Sequence, residues 1–429
     1  MYPDLPQSDA DLVPLPHCEG PKLKPFRFEG PQKIEFLDYL GEGLHAHVFK
    51  VIISGKIYAL KLFKFIPETE WCAADVAVAY TDQEAISILY NYADPFCCEC
   101  RAYGRLQETG YGHLAIQCFG YLLLDEEHET MLLNQFRQQD GIAMDDGSER
   151  SEFQKLYGRK PPIRGIVKEF GYSNAELDKF RTKDARRLLR NIYQFQQLGI
   201  VHIDVGFRQV ISGKFTDFST AITTPHFVTN PELNPQLTPE HIYAIEGVFF
   251  SHAIGDYWMF DNMLNEWNHF WPDKKITCYA FPNGNYGRIK YDLRKTPSRG
   301  RFFTFVDPRQ YQWTTSVSPR RTVKAEMVGK RKSRPRQVGE RGAIRKSRTK
   351  LSPRPSKWYL DCSHGLPRCL QGDPESCTGL SWYVKDGLIF PHREYSKISP
   401  SPEPRVTACS ALPPIVDRST LLHDDVATS

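Results

Sequence analysis

The chain has 429 residues, 41% of them hydrophobic, 13% aromatic and 25% charged, with a formal net charge of +4; it has room for two or three domains and a sizeable core. No apolar run approaches the roughly 18–20 residues of a membrane helix, so no membrane partner is expected, and the Pro-rich start lacks the apolar stretch of a secretory signal. Eleven cysteines in such a chain read as free thiols of a reducing compartment. The charge is uneven: residues 319–357 hold fifteen Lys or Arg against Glu326 and Glu340, a strap of +13 beside a remainder of −9.

In chain order, residues 1–30 read as a disordered lead-in. Short β-type runs come next, from Ile34 to Leu62. Phe36–Leu40 leads into Gly41-Glu42-Gly43, Val48–Ile53 leads out, Ser54-Gly55-Lys56 turns, and Ile57–Phe63 is the next strand. Ala73 to Tyr92 has helical spacing, with Ala85, Ile88, Leu89 and Tyr92 on one face. Leu114 to Leu124 suits a buried strand, 125–162 a polar insertion, and Ile163 to Phe170 a further strand. Ser173-Asn174 can cap the next helix. Asp184 to Leu198 is amphipathic and stopped by Gly199. A tight hairpin, Val210-Ile211 to Phe215-Thr216, leads into Asp217, and Pro239 to Trp271 is helical and aromatic-rich. After the strap, 358–397 reads as a small appendage and 398–429 as disordered.

Several side chains along this path suit phosphate chemistry. Gly41 and Gly43, with Val48 soon after, let backbone N–H groups approach phosphate oxygens, although a plain hairpin uses the same residues. Lys61, mid-strand after that hairpin, can reach phosphates and pair with a helix carboxylate, for which Glu84 is the expected partner. Asp204, two residues after His202, can accept or orient a hydroxyl proton. Asp217 at a strand end can bind Mg²⁺ directly, with Gln209 as the second donor; Gln209 carries one methylene too many for the near-ideal geometry Mg²⁺ demands. Gly206 leaves no lysine two residues after Asp204, and Arg208 can supply that charge. Cys362, His364, Cys369 and Cys377 lack the paired spacing of a zinc knuckle, and Cys97, Cys98 and Cys100 read as buried or incidental thiols. Gly329 to Arg336 suits an importin groove or a phosphate backbone, and also a solvated linker.

The order glycine loop, Tyr58-Ala59-Leu60-Lys61, His202-Ile203-Asp204, Asp217-Phe218-Ser219 resembles the phosphate-handling parts of protein kinases over residues 34–272. Thr238-Pro239-Glu240 looks like the motif that closes an activation segment, and Asp256-Tyr257-Trp258 like the helix Asp that anchors a catalytic loop. Ile203 stands where that family has an arginine, which implies no control through a phosphorylated activation loop. The His-x-Asp loop without its lysine also resembles aminoglycoside- and choline-kinase-type enzymes. A narrower resemblance, carried by Ile34–Leu37, Phe49–Val51, Ile57–Lys61 and Phe260–Asn268, is to a fungal family of Sim-four kinetochore complex subunits.

These features point to an α+β chain with a bilobal protein-kinase-like fold. It has a small β-rich N-lobe (31–170), a larger helical C-lobe (171–318), a basic disordered linker (319–357) and a C-terminal appendage. The resemblances imply a nuclear pseudokinase acting as a protein-interaction module among kinetochore proteins, with ATP and Mg²⁺ as cofactors only if the site works. Two alternatives stay open: an active ATP-dependent phosphotransferase, and a nucleic-acid binder that contacts DNA through 319–357.

Overall fold

The computed structural model describes residues 11–67, 71, 83–136, 150, 160–171, 180–280, 302–313, 348–351, 357–361, 380–385 and 388–393. Residues 319–347 of the strap, the cysteines and histidine of 362–377 and the tail 398–429 lie outside them, as do Ser173 and Asn174.

Three antiparallel strands open the fold: β1 (Glu35–Glu42), β2 (Ala46–Ile53) and β3 (Lys56–Phe63). With β4 (Cys118–Leu123) and β5 (Arg164–Glu169) they make a five-stranded sheet in the order β1-β2-β3-β5-β4. Side chains alternate across it. Phe49, Val51, Leu60, Leu62 and Val167 enter one core, and Phe63, Tyr121 and Ile166 enter a second, larger one. Helix α1 (Gln83–Ala93) and helix α2 (Pro95–Thr109) lie on the second side. Helix α3 (Glu126–Gln135) buries Leu132 in the first core together with the adjoining Phe136, so the expected insertion 125–162 contributes to packing.

The larger core joins α2 to α4 (Thr182–Gln197) and α5 (Pro239–Phe270). Leu188, Leu189, Ile192 and Phe195 on α4 are buried, and the helix ends at Gly199, whose φ of +73° is left-handed. Two short strand pairs come next: β6 (Ile200–Val201) with β9 (Ile222–Thr223), and β7 (Val210–Ile211) with β8 (Lys214–Phe215). Thr238 caps α5 with Pro239 at its first turn. Past α5, Asn268 folds 272–280 back by bonding Ile276 on both backbone groups (2.7 and 3.0 Å).

Several expectations change. The described part of the lead-in is ordered: Leu15 and Leu23 are buried and pair backbone to backbone (2.9 and 3.1 Å). The run 114–124 is not one strand, because a 3₁₀ turn at Gly112–Leu114 precedes β4. Helix α2 has no counterpart in the sequence reading. The appendage strands β11 (Lys357–Asp361), β12 (Leu380–Lys385) and β13 (Leu388–Arg393) form one sheet with β10 (Phe302–Val306), from before the strap, in the order β10-β11-β13-β12. The strap's last described residues are also docked: Thr349 N donates to Thr109 O (3.0 Å), and the Arg348 guanidinium lies over the Tyr111 ring (3.9 Å). Cys18, Cys97, Cys98, Cys100, Cys118 and Cys278 are free thiols, with Cys98 and Cys100 buried.

Candidate functional site

The site is built where β3, β5 and α2 meet the segment entering β9. Lys61 and Ile166 are register partners across β3 and β5, and Ala59 faces Lys168. With a period of two, Lys61 and Lys168 project from the same face, toward α2. Helix α2 starts where Asp94 accepts from the N–H groups of Phe96 and Cys97 (3.1 and 3.2 Å) ahead of Pro95. That start sets Glu99, fully buried, against the sheet.

Lys61 Nζ donates to Glu99 Oε2 (2.8 Å) and to Asp217 Oδ1 (2.7 Å). Lys168 Nζ pairs with the other Glu99 oxygen and donates to Thr216 O (2.8 Å). Burial works to lower the Lys61 pKa, and the Asp217 and Glu99 charges outweigh it and raise it above the ordinary value. Burial works to raise Asp217, but Lys61, Lys168 and the Ser219 N–H (2.9 Å) hold its carboxyl far below the carboxylate range. Among the described residues, the helix carboxylate that pairs with Lys61 is therefore Glu99. Glu84 lies in the first turn of α1, ahead of Asp94 and Pro95, which start a new helix; its side chain is outside the described residues.

The Asp204 loop is held from behind. Asp256 on α5 accepts from His202 N (2.9 Å) and Ile203 N (2.7 Å). Ile203 adopts φ +70°, a strained conformation for a β-branched residue. Burial raises the Asp256 carboxyl to about 7 against those two N–H donors. Burial also holds the His202 imidazole down to about 4, among the rings of Phe195, Phe215 and Phe218. In front, Asp204 Oδ1 accepts from Arg208 Nη2 (2.6 Å), and Asp204 Oδ2 accepts from Gln209 Nε2 (2.5 Å).

Of the two expected Mg²⁺ donors, Gln209 does not present its oxygen. Gln209 turns its amide N–H toward Asp204 rather than an oxygen toward Asp217. Asp217 is engaged by a lysine, and both Asp204 oxygens carry hydrogen bonds. A hard cation needs oxygens that are free to ligate.

The glycine hairpin closes the front. Gly41 sits at φ +133°, Val48 pairs with Gly41 on one side and Lys61 on the other, and Gly43 N donates to Ala46 O (2.9 Å). His45 Nδ1 and Ser219 Oγ hydrogen-bond at 3.0 Å. The structure thus brings Lys61, Asp204, Arg208, Gln209 and Asp217 into two linked clusters. Sequence reasoning missed Glu99, Lys168, His45 and Ser219. The Asp94-Pro95 helix start was a readable sign of α2, and a lysine directly after Ile166 and Val167 on β5 was a readable sign of a buried cation.

Among the described residues no helix is long and apolar enough to cross a membrane, and no cluster of His, Cys, Asp and Glu suited to a metal is present. Fold and site together define a mixed α+β protein with a buried lysine–carboxylate cluster between its sheet and its helices. Residues 12–222 match the family model of the kinetochore Sim4 complex subunit FTA2, a stretch that ends just past Asp217 and supports a kinetochore-associated role. No curated protein matches the chain.

Proposed function

We propose that the chain is a kinase-like, bilobal protein that works as an interaction module among kinetochore proteins in the nucleus, and that it transfers phosphoryl groups slowly or not at all. The kinetochore assignment rests on the match over residues 12–222. The sheet order β1-β2-β3-β5-β4, the Lys61–Glu99 pair and the anchoring of the 202–203 backbone by Asp256 support the kinase-like reading. One observation carries the inactivity. Gln209 donates its amide N–H to Asp204, so the expected second metal donor is turned away.

ATP remains a ligand this site is proposed to hold, with Lys61 toward the phosphates and the glycine hairpin above them. The rival reading, an active phosphotransferase, is favoured by the survival of Lys61, Asp204 and Asp217 in two linked clusters. The test is twofold. Purified protein with Mg·ATP is expected to show negligible phosphoryl transfer, and a fusion carrying Asp204→Asn and Asp217→Asn is expected to reach centromeres as the unmodified chain does. Brisk transfer that both substitutions abolish, with centromere function lost, would establish the rival. DNA contact through 319–357 is a further reading, tested by salt-dependent affinity.

A further inference from the structure

We propose that His45 is a gate on the phosphate side of this site, a proposal that rests on the nucleotide-binding part of the reading above. His45 lies in the turn of the glycine hairpin, 174 positions from its partner Ser219, and both side chains are buried, at 7% and 6% exposure. Their hydrogen bond of 3.0 Å ties the hairpin to the turn that begins at Asp217. Two further bonds fix the two ends of this clasp. The His45 carbonyl accepts from Lys64 N (3.0 Å), and Ser219 N donates to Asp217 Oδ1 (2.9 Å).

Distance decides what the clasp excludes. Two side chains already at hydrogen-bond distance from each other leave no room for a phosphate group between them. His45 and Ser219 stand at 3.0 Å. A nucleoside polyphosphate that passes beneath the hairpin toward Asp217 therefore has to break this bond, whereas a nucleoside without phosphates does not. The gate lowers the apparent affinity for nucleotides by the fraction of molecules in which it is open. A buried hydrogen bond of ordinary strength makes that penalty about five- to tenfold.

The experiment measures binding of ATP and of adenosine, each without divalent metal, by titration calorimetry on the full chain and on His45→Ala and Ser219→Ala. The two variants remove the bond from opposite ends, and Ser219→Ala is a small change that keeps the test open if His45→Ala folds poorly. Both variants are expected to bind ATP about five- to tenfold more tightly than the unmodified chain, with adenosine affinity unchanged. ATP affinity that is unchanged or weaker in both variants overturns the gate. So does an equal gain for adenosine, because the bond then does not discriminate phosphate. Absence of ATP binding by every variant also overturns it, while leaving the kinetochore role to stand or fall on the centromere experiment.

Discussion

Glu99 is the residue on which the site turns. It is fully buried and pairs with two lysines, so replacing it by Ala takes one carboxylate from each of two buried cations. Breaking a buried pair by removing one partner costs about 3–5 kcal/mol. Glu99→Ala is expected to destabilise the chain by that order in chemical denaturation, and Glu84→Ala by clearly less; equal losses would return Glu84 to the cluster. Asp256 gives a test by pH. Its carboxyl rises from an ordinary 3.8 to about 7, so between those values the folded state holds the extra proton and stability falls as pH rises. His202 and His226 fall from 6.5 to about 4 and about 3, so through that interval the unfolded state holds the extra proton and stability rises with pH. The aspartate opposes the histidines. In Asp256→Asn the melting temperature is therefore expected to climb more steeply between about pH 4 and 6.5 than in the unmodified chain; parallel curves would mean that Asp256 does not titrate there.

At the scale of elements, α2 holds the site together. Besides Glu99 it carries Tyr103, whose hydroxyl donates to Thr216 O (2.9 Å), and two buried arginines one turn apart. Arg101 donates to Thr223 O (3.1 Å) and Pro225 O, and Arg105 to Leu198 O (2.7 Å) and Thr224 O (2.6 Å). One helix thus fixes the distance from the sheet to the 198–225 segment. Gly104, on the same helix, touches the backbone of Lys22, which a Cβ would meet at 2.6–2.8 Å. Gly104→Ala forces the ordered lead-in away from α2 and is expected to cost about 1–3 kcal/mol, read as a lower urea midpoint. No change would mean that 11–30 does not need this contact. Strands β1 to β3 and helices α4 and α5 were legible in sequence because alternation and 3.6-residue spacing are local. Helix α2 was not, since Cys97, Cys98, Glu99, Arg101 and Arg105 break the apolar stripe, and the arginines are buried against partners more than 80 positions away.

For the whole molecule, the basic strap is proposed as a nuclear address. Replacing Lys330, Arg331 and Lys332 with Ala is expected to leave the melting temperature unchanged and to abolish nuclear accumulation of a fusion too large to diffuse through the pore. Undiminished accumulation would rule this stretch out as the signal. The strap is tied in at its far end: Arg348 and Thr349 dock on the residues at the end of α2 and just beyond it, and Leu351 packs on the larger core. Just before the strap, the Arg105 guanidinium lies over the Tyr311 ring (4.1 Å).

By itself the sequence determined the α+β class, the strands around the glycine hairpin, the two main helices of the second half, and the identities of Lys61, Asp204 and Asp217 as candidates, because each is written in spacing or in side-chain chemistry within a short window. Only the tertiary structure decided which charges meet. Glu99 pairs with Lys61, Lys168 joins as a second buried cation, Gln209 donates to Asp204, and His45 reaches Ser219. Ion pairs and hydrogen bonds of this kind act over about 3 Å, and the chain brings such groups together from as far as 174 positions apart; no local pattern records that distance.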